Sequence, residues 1–152
     1  GEPGERVVRV SRFLDRAGIR YEVPGNMVRT MWYKFMINVG INQASAVLRA
    51  PYGAFQKIPE APRVMESAML EVVALSQVLG TGLVEEDLHS WYKTLGTLSP
   101  EGKTSMLQDV EAGRKTEVEL FSGTVIRLGS ETGVPVPINR MLYDMIRAIE
   151  QG

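Results

Sequence analysis

"WYKFMINVGIN", Trp32 to Asn42, decides how this chain is read. Trp32, Phe35, Met36, Ile37, Val39 and Ile41 are apolar without period-two alternation, so the stretch reads as a helix facing a core. Lys34, Asn38 and Asn42 recur along it at four-residue intervals. Each step of four turns about 40° beyond a full turn, so the three drift by roughly 80° and share one face. Asn is a poor choice inside a helix, because its side chain competes for the backbone. Gly40 costs roughly 1 kcal/mol against Ala but opens room for close backbone or ligand approach. Two readings of the polar face compete: the solvent side of a surface helix, or one wall of a polar cavity. The flanking residues leave little other polar surface, which favours the cavity. There, partial desolvation of Lys34 would disfavour its charged form and turn it toward proton donation.

Outward from this stretch, helical patterning covers most of the chain. Asn26 can cap a long helix over 27–49, which Pro51 and Gly53 end. Residues 60–79 carry a broad apolar stripe (Val64, Ala68, Met69, Val72, Val73, Leu75, Leu79) closed by Gly80. A shorter amphipathic helix is expected over 85–96, and "SPEGKTSMLQDVEAG" reads as a loop followed by about two helical turns. Thr116 and Glu119 have capping-box spacing at the head of a helix over 117–131. Gly133 and "PVP" stop it before a last helix over 138–150. The eight Met residues, among them Met65, Met69, Met141 and Met145, sit at helical spacing and read as core filler.

Residues 1–25 differ from the rest. "ERVVRVSRFLDRA" reads as helix over 5–17, and "IRYEV" alternates as a short strand over 19–23. One strand cannot pair with itself. The unit therefore reads as the tail of a truncated α/β domain, with a helical domain over 26–152. The absence of an initial Met fits that expectation.

Bulk properties exclude several functions. A net charge of −1 without a block of one sign argues against nucleic acid or an anionic membrane as partner. No cysteine is present, which removes thiolate nucleophiles, disulfides and Cys-ligated zinc, and fits a cytoplasmic protein. No run of about 18–20 apolar residues exists to span a bilayer. His89, the only histidine, lies in the charged helix "EEDLHSWYKTL" and reads as a surface residue. No metal site is expected.

A second cluster, "SMLQDVEAGRKTEVELFSG", runs from Ser105 to Gly123. Ser105 and Asp109 are one turn apart, and Glu117 opens the Thr116-capped helix, where the dipole favours a carboxylate. Asp109, Arg114 and Glu117 can equally be read as capping and pairing residues alone.

Taken together, W-x-K-x-x-x-N-x-x-x-N from Trp32, S-M-L-Q-D from Ser105, R-x-T-E from Arg114, and "GVPVPINRMLY" from Gly133 resemble the ketopantoate reductase (2-dehydropantoate 2-reductase) family, in its helical C-terminal domain. The segments keep the family's order and cover residues 26–150. The resemblance implies a mainly α fold of the 6-phosphogluconate dehydrogenase C-terminal-like type, with one leftover helix–strand unit. It implies reduction of a 2-keto acid by NADPH, in pantothenate and coenzyme A synthesis. By the same resemblance, Lys34 would be the general acid, Asn38 and Asn42 would hold the substrate's oxygens, Ser105 its carboxylate, and Glu117 would meet the cofactor. Asp109 would support rather than react.

Tyr52 departs from the family's pattern, which often has Asn there, so another keto acid is a second reading. No G-x-G-x-x-G follows a strand, so the phosphate site would belong to an upstream Rossmann domain and the chain alone would be inactive. A non-catalytic helical dimerisation module, with a second copy of the chain as partner, is the third reading.

Overall fold

The computed structural model describes residues 26–152. The helix and strand expected over 5–17 and 19–23, and with them the truncated-domain tail over 1–25, lie outside the described residues. Among the described residues there is no strand.

The first long helix is one rod in three parts. Helix α1 (Met27–Ile37) buries Met31, Trp32, Phe35 and Met36. A π turn, π1 (Asn38–Asn42), follows, then α2 (Gln43–Leu48). Asn26 does not cap α1 with its side chain; its carbonyl accepts the Thr30 amide instead, at 2.9 Å. Arg49 ends α2 in the left-handed region at φ 50°, where the Ala50 amide returns to the Ser45 carbonyl before Pro51 turns the chain away.

Helix α3 (Tyr52–Lys57) is too short for its periodicity to be read in sequence. Helix α4 (Glu60–Leu79) is the central rod and has the bounds its apolar stripe predicts. Met65, Ala68, Met69, Val72 and Leu75 on it are fully buried, each larger side chain worth about 1.5–3 kcal/mol of burial. Gly80 closes it at φ 74°. Helix α5 (Glu86–Leu95) follows; its Trp91 is buried with Nε1 donating to Met65 Sδ at 3.2 Å, while His89 is exposed. The buried Asp87 carboxylate accepts from the Val84 amide and pairs with Arg29 at 2.6 Å, tying the start of α5 to α1.

Helix α6 (Ser105–Glu111) forms the short helix expected after the loop. A second π turn, π2 (Glu119–Gly123), leads into α7 (Thr124–Thr132), and α8 (Pro137–Gln151) closes the domain. Glu71 of α4 accepts the Ile138 and Asn139 amides at 2.9 Å each, capping α8 from a neighbouring helix. Met141 and Met145 are not core, being 60% and 41% exposed. The buried stripe of α8 runs through Asn139, Leu142 and Ile146. A position one residue earlier is rotated about 100° outward.

No described helix is long and apolar enough to cross a membrane.

Candidate functional site

The polar face of the first rod is shaped by its π turn. Bonds of the i→i+5 type widen each turn to more than four residues, so positions four apart stop short of a full turn instead of running past it, and stay on one face. Asn38 and Asn42 therefore meet: Asn42 Nδ2 donates to Asn38 Oδ1 at 3.1 Å. The α-helical drift read from sequence does not apply across them. Gly40 serves the same turn, but from behind. A Cβ there would sit 2.5 Å from Met69 Cγ and 2.8 Å from its sulfur. The close approach that Gly40 permits is thus that of α4.

Ser105 joins this pair although it is 63 residues from Asn42: its Oγ donates to Asn42 Oδ1 across 3.4 Å. Thr104, the residue before it, caps α6 by accepting the Leu107 amide at 3.1 Å. Thr104 Oγ1 also lies 2.6 Å from Ser45 Oγ, and Ser45 donates to the Asn42 carbonyl at 3.0 Å. The site deepens along the rod. Lys34 is exposed, Asn38 half-buried, and Asn42 only 8% exposed. The partial burial that the sequence reading assumed for Lys34 is not supplied by the described residues, none of which pairs with it.

Glu117 is exposed, and no hydrogen bond or ion pair joins it to Lys34, Asn38, Asn42 or Ser105. Its neighbours are firmly held. Val118 is buried with Ala46, Met106, Val110 and Ile146. The Thr116 amide and hydroxyl both donate to one oxygen of Glu150, whose other oxygen takes Arg147 at 3.1 Å. Burial pushes the Glu150 carboxyl up, but the bonds from Thr116 and Arg147 outweigh it and hold the group below its ordinary range.

The expected capping box does not form. Thr116 Oγ1 accepts from Val118, while Glu119 takes the Tyr143 hydroxyl, and regular helix begins only after π2. Asp109 and Arg114 pair at 2.9 Å and close the turn after α6.

Tyr52 packs rather than points. A Cβ on Gly102 would lie 2.9 Å from its ring, and the Tyr52 and Gly53 amides bond to Gly102 and Pro100. Tyr52 thereby shapes the loop that leads to Ser105. Sequence reading passed over Gln43, Ser45, Thr104 and Glu150. Only Thr104 carried a local signal, as an N-cap residue before a short apolar helix.

Asn38, Asn42 and Ser105 thus form one hydrogen-bonded polar face of a helical bundle, with Lys34 exposed one turn before it. Residues 26–150 match the family model described as "Ketopantoate reductase PanE/ApbA C terminal". The chain belongs to that family. It is 31% identical over 143 residues to the 2-dehydropantoate 2-reductase of Archaeoglobus fulgidus, covering 94% of this chain and 48% of that protein. Among solved structures, the PanE/ApbA family ketopantoate reductase from Ralstonia eutropha superposes with a TM-score of 0.75 at 28% identity, over 98% of this chain and 50% of that one. D-mandelate dehydrogenase, in a ternary structure with NADH and anilino(oxo)acetate, shares the fold at a TM-score of 0.77 and 18% identity, over 98% and 50% of the two chains. The chain spans about half the length of the relatives it matches.

Proposed function

We propose that this chain is the substrate-side half of an NADPH-dependent reductase that converts 2-dehydropantoate to pantoate. The observation that carries the proposal is the contact of Ser105 with the Asn42–Asn38 pair, one helical turn beyond Lys34. Carboxamides and a hydroxyl so fixed can orient a 2-keto acid, whose oxygens accept hydrogen bonds.

A nicotinamide cofactor, when bound, would supply the hydride that C2 receives. Lys34 Nζ gives a proton to the C2 oxygen, which becomes the product hydroxyl, and the neutral amine recovers its proton from water. Asn38 and Asn42 hold the substrate's oxygen atoms and Ser105 donates to its carboxylate. Glu117, an acceptor without a partner among the described residues, fits the hydroxyl donors of a ribose. No G-x-G-x-x-G occurs in this chain, so by itself it is expected not to oxidise NADPH.

The test is NADPH oxidation by the intact protein with 2-dehydropantoate and a panel of other 2-keto acids. Lys34→Ala is expected to keep the fold and cofactor affinity and to lose about 10²–10⁴ of the turnover, the range of general acid catalysis. Unchanged turnover removes Lys34 from the mechanism. The seat of Tyr52 on the loop before Ser105 favours a second reading, in which another 2-keto acid is the better substrate on this scaffold. The same panel decides between them.

A further inference from the structure

We propose that Gln43 and Ser45 are positioning residues. Ser45 fixes the Ser105 segment, and Gln43 the Glu117 segment, each against the turn that carries Asn42.

They belong to the tetrad Gln-Ala-Ser-Ala that follows Asn42, and all four residues are buried, Gln43 and the two alanines completely. The small Ala46 admits both downstream segments at once, touching the cluster of Met106 and Val110 from α6, Val118 and Ile146. Beside the alanines, each polar residue reaches a different segment.

The Gln43 carboxamide bridges the two π turns. Its Nε2 donates to the Val39 carbonyl at 2.8 Å and its Oε1 accepts the Ser122 amide at 3.0 Å. Both partners are main-chain atoms, so the bridge sets backbone against backbone. Burying a carboxamide costs free energy unless it is bonded, and an apolar side chain of similar volume would fill the space without that condition. What the carboxamide adds is the distance and angle dependence of two hydrogen bonds. Ser122 is five residues after Glu117, and Thr116 on the other side is held by Glu150. The Glu117 segment is thus anchored at both ends.

Ser45 works through one directed chain of hydrogen bonds. A hydroxyl has a single proton, so with Ser45 donating to the Asn42 carbonyl, Thr104 is the donor in the 2.6 Å contact, and Thr104 in turn accepts from the Leu107 amide. The chain runs from the first turn of α6 to the Asn42 backbone, around Ser105.

The proposal rests on the reading of Asn42, Ser105 and Glu117 as site residues, and its deciding test does not depend on turnover. Amide and side-chain carboxamide resonances of this chain are compared by NMR for wild type, Ser45→Ala, Gln43→Leu and Gln43→Glu. Ser45→Ala is expected to shift Ser105 to Leu107 and the Asn42 carboxamide, and to leave Glu117 to Ser122 in place. Gln43→Leu is expected to shift Glu117 to Ser122 instead, and to speed Ser122 amide exchange roughly tenfold or more. Gln43→Glu keeps the acceptor and is expected to keep Ser122 protected. The same shifts spread over both segments from either variant, or no shift, would overturn the proposal.

If a variant does not fold, wild-type exchange decides: a protected Ser122 amide and slow Gln43 carboxamide protons support the bridge, and exposed-amide rates overturn it. In the intact reductase the split appears as a raised keto acid KM for Ser45→Ala and a raised NADPH KM for Gln43→Leu. Absent turnover in wild type would sink the site reading, while the NMR pattern would still judge the anchors.

Discussion

Gly40 is the residue where packing and the polar face meet. Any Cβ there collides with the middle of the Met69 side chain, which cannot retreat from a fully buried position without cost. Overpacking of this kind costs about 1–3 kcal/mol, against roughly 1 kcal/mol gained in helix propensity. Gly40→Ala is therefore expected to lower stability by about 1 kcal/mol net, read by urea denaturation. It should also disturb the Asn38–Asn42 bond, since both residues belong to the same turn. Sequence reading found the need for a close approach at Gly40 but not its occupant. The occupant lies on another helix, and spacing along one helix does not report it.

At the scale of elements, the loop bearing Glu117 depends on the last helix. Glu150 is ionised in the fold below its ordinary value of 4.5, held there by Thr116 and Arg147 against the cost of its burial. A depressed folded value means that its contribution is fully present above pH 4.5 and is lost as pH falls through the folded value. Glu150→Ala is expected to cost about 1–3 kcal/mol at neutral pH, where Thr116 loses its acceptor. The gap in Tm between wild type and variant should close as pH drops below 4.5; a gap unchanged down to strongly acid pH would refute the ionic role. Thr104→Val should cost about 1 kcal/mol through the lost cap, where Ser45→Ala leaves the cap standing. The π turns were not legible because Asn38–Asn42 and Glu119–Gly123 match α-helical spacing almost as well. One extra residue per turn changes which side chains meet without changing the apolar pattern much.

Across the whole molecule, the difference between core and surface methionines is the plainest test of the packing. Met69 is fully buried against π1, whereas Met141 is 60% exposed on α8. Met69→Ala is expected to lower stability by about 2–5 kcal/mol and Met141→Ala to stay within about 0.5 kcal/mol, both by thermal or denaturant unfolding. Helical spacing alone placed both in the core. Period 3.6 gives each residue a phase around its own helix, and only the neighbours decide which phase faces inward. The polar groups that cross the interior show the same limit. Gln43, Ser122, Asn139 and Glu71 join α2, π2, α4 and α8 through bonds between residues up to 79 apart in sequence.

The sequence by itself determined that the domain is helical, the extent of α4, the approximate ends of the other longer helices, and the residue types on the candidate face, because these depend on periodicity, caps and breakers within single segments. It also carried the family, through residues quoted in order along the chain. The tertiary structure decided that Ser105 reaches Asn42, that Thr116 is held by Glu150 instead of Glu119, and that Tyr52 packs on Gly102. Those contacts join segments distant along the chain, and a hydrogen bond formed across such a distance leaves no period to read.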